Sequence, residues 1–185
     1  MGRVIAIANH KGGSGKTTTT QCLAESLRKL GKTVWEVNAD PMRDPDLMAI
    51  EMGNCEHGIS SEILRTRINA KRDEFDFTLI DCPSSLGLLT VNALVAADEV
   101  IIPIRCDHKA MEKLSELMAE IRIVQSTRNR ELKIKGILLT MVNPSLQTTL
   151  VIYSDMKKLF GDLLFGTVIR KEHKEDYDVL ASEIL

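Results

Sequence analysis

The sequence contains few cysteines, and none of them are paired in the spacing of a metal site. Its 185 residues include four cysteines, with no CxxC pair among them. A zinc site needs closely spaced ligands, and a disulfide framework is typical of short secreted chains. We therefore expect reduced, mostly buried thiols. The cysteines are Cys22, Cys55, Cys82 and Cys106.

Long apolar runs and excess positive charge are also missing. No stretch of about 18 uncharged apolar residues is present to span a membrane, and the N-terminus lacks the apolar segment of a secretory signal. The formal net charge is -2, so any binding to nucleic acid must come from a local patch. Nothing between the motifs resembles a linker. We expect one cytoplasmic domain over residues 1–185.

A glycine-rich segment, NHKGGSGKTTTT at residues 9–20, follows the apolar run Val4–Ala8. Its glycines let successive backbone N–H groups point into one concavity that suits a phosphate. Lys16 adds a positive charge near the terminal phosphates, Thr17 offers a hydroxyl to magnesium, and the next helix directs its positive end there. An ordinary glycine turn is the alternative, but GKT between a strand and an amphipathic segment favours a phosphate loop.

Short apolar runs alternate with segments of helical periodicity along the whole chain. This alternation predicts an α/β fold with a parallel sheet covered by helices on both faces. The clearest helical segments are Lys109–Val124 and Leu150–Phe160. The predicted strands are Arg3–Ala8, Thr33–Val37, Phe77–Ile80, Glu99–Ile104, Lys135–Thr140 and Leu164–Ile169.

Polar side chains at the ends of these strands are candidates for the site, because ligands of such sheets lie outside the carboxyl ends of the strands. Asn38 and Asp40 follow the second strand, Asp81 follows the third, and Asn143 follows the fifth. Asp81 fits the acidic residue that holds magnesium through its water shell, beside Thr17. A turn or capping role is the alternative for Asp40 and for Asp81.

The segment Lys11–Thr18, KGGSGKTT, resembles the deviant Walker A motif of the ParA/MinD family. The NADP segment resembles that family's DxDP, and residues 79–104 are similar to the stretch around its Walker B aspartate. The likeness is closer to the ParA/Soj partition branch than to MinD. It implies a P-loop NTPase-like fold with a mostly parallel twisted sheet, and ATP and Mg²⁺ as cofactors.

The resemblance also implies roles for individual residues. Lys11 would reach across a nucleotide-sandwich homodimer to the partner's bound nucleotide, and Asp40 would orient the attacking water. With Lys16 these two form the expected catalytic set. Thr17 and, through water, Asp81 would hold Mg²⁺. The expected nucleotide-binding residues are Lys11, Gly12, Gly13, Ser14, Gly15, Lys16, Thr17, Thr18 and, near the base, Asn143.

The chain departs from the family pattern in several places. Asn38 stands where the first aspartate of DxD is expected, and Met42 stands where glutamine is usual. Asn38 carries no charge, so we expect hydrolysis to be weaker than in relatives. The segment from Asp40 to Phe77 is short, and the sequence ends at Leu185, soon after the last predicted strand. A compact member and a shortened chain both remain open.

The resemblance implies a slow, partner-stimulated ATPase that dimerises with ATP and binds DNA nonspecifically. Its partner would be a small centromere-binding or cargo-adaptor protein, and the protein would be nucleoid-associated with no membrane contact. A solvated mixed-charge surface is the alternative to a DNA patch, and nearby Glu172, Glu175 and Asp176 favour it. The DNA candidates are Lys157, Lys158, Arg170, Lys171 and Lys174, with Arg122, Arg128, Arg130 and Lys133 as further ones.

Two other functions stay open. A MinD-like membrane-cycling ATPase would need a basic amphipathic C-terminal helix, whereas EDYDVLASEIL, residues 175–185, is acidic. An ATP-binding dimeric scaffold with little hydrolysis is suggested by Asn38.

Overall fold

The computed structural model describes residues 1–39, 47, 62–85, 87–107 and 114–185. Within these ranges five strands form one sheet in the order β2-β3-β1-β4-β5, and each neighbouring pair is parallel. The predicted parallel α/β fold is therefore confirmed. The strands are β1 (Arg3–Ile7), β2 (Val34–Asn38), β3 (Phe77–Asp81), β4 (Glu99–Arg105) and β5 (Lys133–Thr140).

Helices follow the strands, as parallel connections require. Two short 3₁₀ turns, Arg72–Glu74 and Gly161–Leu163, extend helices at their carboxyl ends. The helices of the described ranges are α1 (Lys16–Lys29), α2 (Ile63–Lys71), α3 (Leu88–Ala96), α4 (Leu114–Thr127), α5 (Gln147–Phe160) and α6 (Asp176–Ile184).

The core lies on both faces of the sheet. The apolar residues of β1 are buried on both faces of the sheet: Ala6 belongs to one apolar cluster and Ile5 to the other. Leu23 of α1 and Leu180 of α6 pack on the face of Ile5. The other face is covered by helices α2 to α5, for example through Leu117. A strand buried on both faces reads as a continuous apolar run rather than an alternating one.

Strand register aligns the carboxyl ends of three strands. Ile7 pairs with Asp81, and Asp81 also pairs with Asn38. The backbone N–H of Cys82 donates to the carbonyl of Ile7 at 3.2 Å. The phosphate-loop segment, which leaves β1 here, therefore begins beside the ends of β3 and β2.

The predicted strand Leu164–Ile169 is wrong as a regular strand. The segment lies along β5, because Phe165 N and Ile169 N donate to carbonyls of β5, but only isolated bridges form at Leu164 and Arg170. The N–H groups of Gly166 and Thr167 instead donate to the carboxylate of Glu183 in α6. The carboxylate thus takes the N–H of Thr167, the donor between those of Phe165 and Ile169 that a regular ladder with β5 would need.

Helix and strand bounds differ from the predictions by a few residues. β5 begins at Lys133 rather than Lys135, and its pairing with β4 shifts register between Val100 and Ile101. α5 begins at Gln147, three residues before the predicted Leu150. Of the predicted helix Lys109–Val124, residues 109–113 lie outside the described residues, and α4 continues from Leu114 to Thr127.

The C-terminal helix α6 is fixed to α1. The hydroxyls of Tyr177 and Thr19 share a buried hydrogen bond at 3.0 Å. Asp176 accepts hydrogen bonds from the backbone N–H of Arg170 at 2.8 Å and from its guanidinium at 2.6 Å. Among the described helices, none combines the length and the apolar character that crossing a membrane requires.

We expect Asp176→Asn to lower the free energy of unfolding at pH 7 by about 2 kcal/mol, the scale of a lost charged hydrogen bond. Hydrogen bonds from the Arg170 side chain hold the pKa of Asp176 below its ordinary 3.8. A depressed carboxyl pKa stabilises the fold above the unfolded value, and this contribution disappears as pH falls through the folded pKa. Urea unfolding between pH 7 and pH 3 should show the difference from wild type closing below about pH 4.

Asp155→Asn is the control, because Asp155 is exposed and pairs with Lys158 at 3.7 Å, and such pairs contribute little. A difference for Asp176→Asn that stays constant down to pH 3 would contradict the assignment.

Candidate functional site

The backbone between β1 and α1 has the shape of a phosphate loop. Gly13 and Gly15 adopt φ angles of 72° and 90°, a left-handed region that favours glycine. The hydroxyl of Thr140, at the end of β5, donates to the carbonyl of Ser14 at 2.9 Å. α1 begins at Lys16, so its free N–H groups and its positive end face the loop. This arrangement can bind an anion.

Lys16 is directed into the site and is only 6% exposed. Its Nζ donates to Oγ of Ser84 at 2.7 Å and lies 3.5 Å from the carbonyl of Lys11. Burial lowers the pKa of Lys16, against opposite effects of Cys82 and Asp81. Because burial also raises the pKa of the Cys82 thiol, that thiol is neutral at pH 7, and the effect that opposes the lowering of the Lys16 pKa comes from Asp81.

Thr17 and Asp81, the predicted magnesium residues, are brought together. The Thr17 hydroxyl donates to Oδ2 of Asp81 at 2.7 Å, and Asp81 is only 9% exposed. Hydroxyl and carboxylate oxygens are hard ligands of the kind that Mg²⁺ selects, and Mg²⁺ keeps several of its waters. The residues present therefore fit a magnesium ion.

These groups line one cavity of about 550 Å³, within the size range of small-molecule sites. Asn38 lines it too, so the family departure noted in the sequence lies at the site itself. The lining residues are Gly13, Gly15, Lys16, Thr17, Thr18, Gln21, Asn38, Asp81, Cys82, Pro83, Ser84 and Met141.

Lys11 is held away from this cavity. Its Nζ forms an ion pair with Asp107, at 3.0 and 2.9 Å from the two carboxylate oxygens. Its backbone N–H donates to Oδ1 of Asn9 at 3.1 Å, and Asn9 in turn donates to the carbonyl of Pro103. Lys11 is thus connected to the end of β4 in two ways: its side chain binds Asp107 directly, and its backbone is linked to Pro103 through Asn9.

Of the two remaining predicted site residues, the structure describes only Asn143. Asp40 lies outside the described residues, as does Met42. Asn143 lies in the turn before α5, where its Oδ1 accepts the N–H of Ser145 at 3.1 Å and its carbonyl accepts the Thr149 hydroxyl at 2.8 Å. It does not line the phosphate cavity.

The predicted DNA-binding residues belong to several elements of the fold, and several have partners. Arg170 pairs with Asp176 at 2.6 Å, and Lys157 donates to the carbonyl of Gly161. Lys133 begins β5, whereas the backbone N–H of Lys171 donates to the carbonyl of Val142, beyond the other end of that strand. The length of β5, more than about 20 Å, therefore separates the two residues. The remaining predicted members are Lys158, Lys174, Arg122, Arg128 and Arg130; Lys158 and Lys171 have carboxylates within 4 Å.

Sequence reasoning missed three residues of the site. Ser84 receives Lys16, Thr140 supports the loop at Ser14, and Asp107 pairs with Lys11. Asp107 follows the end of β4, so the rule that ligands lie at carboxyl ends would have found it had this strand end been inspected.

Comparisons with known proteins identify the family of the chain. A family model described as AAA domain matches residues 2–47 and 42–134. The chain is 35% identical over 213 residues to the sporulation initiation inhibitor protein Soj of Bacillus subtilis, covering 91% of this chain and 84% of that protein. The chain belongs to the ParA/MinD family, in its ParA/Soj branch. Another member, the chromosome partitioning protein ParA of Myxococcus xanthus, is 31% identical, covering 91% of this chain and 75% of that protein.

The fold of this ParA/MinD family member is similar to that of a solved structure. Cobyrinic acid a,c-diamide synthase from Mycobacterium smegmatis, solved with bound ADP and magnesium, superposes with a TM-score of 0.87 at 26% identity. The match covers 98% of this chain and 93% of that one. The P-loop NTPase-like fold predicted from the sequence is confirmed.

We expect Lys16→Ala to weaken binding of Mg-ATP by about 10- to 150-fold, because a charged hydrogen bond to phosphate is worth about 1.5–3 kcal/mol. Titration calorimetry measures this. Lys29→Ala, at the other end of α1 and paired with Asp178 on the surface, should bind like wild type. Wild-type affinity in Lys16→Ala would remove the phosphate-loop assignment.

Proposed function

We propose that this chain is a one-domain ATP-dependent dimerising switch ATPase, which binds DNA nonspecifically and positions or segregates plasmid, chromosome or other cargo with a partner protein. The observation that supports this is the separation of the two loop lysines. Lys16 faces the phosphate cavity, whereas Lys11 is directed to the end of β4. A second lysine outside the cavity is suited to contact the phosphate of a nucleotide bound to another copy of the chain.

The nucleotide would be Mg-ATP. The loop from Gly12 to Gly15 and the first turn of α1, with Thr18, would bind the phosphates through N–H groups, and Lys16 would bind the terminal phosphates. Thr17 would hold Mg²⁺ directly and Asp81 through water; the ion would neutralise charge that develops on the phosphates. The ADP and magnesium of the cobyrinic acid synthase structure support this cofactor pair. Asn143 is proposed near the base.

Turnover would use Asp40 to orient the attacking water, while Lys11 from a second copy stabilises the charge of the transition state, as an arginine finger does. A contact between two subunits is desolvated, so a charge-assisted hydrogen bond there is strong. Asn38 brings no charge into the cavity, which favours slow hydrolysis that depends on the partner.

DNA binding would follow dimerisation, which doubles the basic surface. The candidate residues remain those predicted from the sequence, with Arg170 the least available because Asp176 holds it. The name of the Myxococcus xanthus relative, chromosome partitioning protein ParA, supports a partition role. The partner would be a small centromere-binding or cargo-adaptor protein, and the place of action the cytoplasm, at the nucleoid.

A membrane-cycling role has less support. Tyr177, Leu180 and Ile184 form the apolar side of α6 and are buried in the cluster that contains residues of α1. The apolar side that would enter a membrane is therefore occupied within the chain.

We expect Asp40→Ala to keep ATP binding and to trap the dimer, since the phosphate contacts remain while the water is no longer oriented. ATP turnover with DNA and the partner present should fall by about 100-fold or more, the usual scale for a positioned general base. Asn38→Asp is the companion variant and should raise the rate. No turnover in wild type under any of these conditions, with turnover restored by Asn38→Asp, would identify a scaffold instead of an ATPase.

We expect Lys11→Ala to bind ATP but to remain monomeric, because the lost contact belongs to the facing subunit. A monomer offers half of the phosphate contacts, and affinity for DNA falls steeply with the number of contacts. Wild type should therefore bind nonspecific DNA only with ATP, and Lys11→Ala should not bind at the same salt. Sedimentation and DNA shift assays with ATP and ADP measure both. A Lys11→Ala protein that dimerises and binds DNA would remove the cross-subunit role.

A further inference from the structure

The ion pair between Lys11 and Asp107 joins the phosphate loop to the end of β4. Both carboxylate oxygens of Asp107 lie within 3.0 Å of Nζ. The pair is partly shielded, with side-chain exposures of 28% for Lys11 and 34% for Asp107. Such an ammonium, close to both oxygens of one carboxylate, has its charge satisfied within its own chain.

The backbone of Lys11 is fixed beside β4. Its N–H is fixed by Asn9, which is itself buried and bound to Pro103. The side chain therefore extends from a fixed backbone position, and in this structure its Nζ lies at Asp107. A contact of Lys11 with a second copy of the chain that lies out of reach of Asp107 has to replace the contact with Asp107.

We propose that Asp107 is a positioning residue that holds Lys11 within its own chain and so opposes dimerisation. The proposal rests on the proposed cross-subunit role of Lys11. Asp107 acts only through Lys11: it sets how often the ammonium is available to the nucleotide on a facing subunit. ATP on both copies would supply the phosphate charge that draws each lysine away from its carboxylate.

Arg105 makes the release of Lys11 less costly. Its Nε lies 3.6 Å from Oδ2 of the same Asp107, and its side chain is exposed. When Lys11 leaves, the carboxylate keeps a cationic neighbour and contact with water. The pair is therefore suited to exchange, unlike a buried pair, whose separation leaves an uncompensated charge.

The effect on a dimer counts twice, because each copy contributes one Lys11. Partly exposed ion pairs shift an equilibrium by roughly threefold. Removing the Asp107 charge should then strengthen ATP-dependent dimerisation about tenfold, since both copies gain.

The test compares wild type, Asp107→Asn and Glu36→Gln. Asparagine keeps the shape of Asp107 without its charge. Glu36 of β2 is a matched control, because it is 33% exposed and pairs at 2.8 Å with Arg28, which lies in the last turn of α1, at the end away from the loop. One readout is acetylation of the Lys11 amine by a small reagent without nucleotide, followed by mass spectrometry; the other is the protein concentration at which half is dimeric with Mg-ATP.

Asp107→Asn should raise the acetylation rate of Lys11 about threefold and lower the half-dimer concentration about tenfold, while Glu36→Gln changes neither. An unchanged Lys11 reactivity, or a dimer as weak as or weaker than wild type, would overturn the proposal. Lys11→Ala separates the two levels of the argument. If it dimerises with ATP, the cross-subunit function fails and this proposal fails with it. If it stays monomeric while Asp107→Asn equals wild type, only the role of Asp107 fails.

Discussion

The register of β3 between β1 and β2 is the constraint on which the site depends. Asp81 lies opposite Ile7 on one side and Asn38 on the other. A slip of one residue would turn the Asp81 side chain to the other face of the sheet and separate it from Thr17. Both faces of β3 are buried, so such a slip would also move apolar side chains between two different cores. Packing thus fixes the position of the only carboxylate among the residues that line the described cavity.

The phosphate loop is held by strands that it does not directly follow. Thr140 of β5 binds it at Ser14, and the end of β4 binds it through Asn9 and Lys11. Glycine dihedrals give the loop its curvature, but these contacts select one arrangement among those that glycine allows. The two lysines point in different directions because they contact different strand ends: Lys16 lies by the segment after β3, and Lys11 lies by the segment after β4.

The sequence predicted most of the fold because strands buried on both faces are continuous apolar runs. It also paired Thr17 with Asp81 correctly, since both flank strand ends at one edge. The segment from Leu164 has the same apolar signal, yet Glu183 takes its backbone donors. No local pattern reveals a competitor that lies so far along the chain. The strand-end rule could have indicated Asp107, but its pairing with Lys11 depends on β4 lying beside β1, which no local pattern shows.

The position of β1 in the sheet has a consequence for synthesis. β1 lies in the middle of the sheet, but its partners come late: Arg3 pairs with Phe77, and Ile5 pairs with Glu99. At roughly 5–20 residues per second, the ribosome leaves this apolar strand without its neighbours for on the order of several seconds. During that interval the central strand has two open edges and a strong tendency to pair with other chains. Non-local pairing of this kind also slows folding. The nascent chain is therefore a natural client for chaperones, and its yield in cells should depend on them more than the stability of the finished fold would indicate.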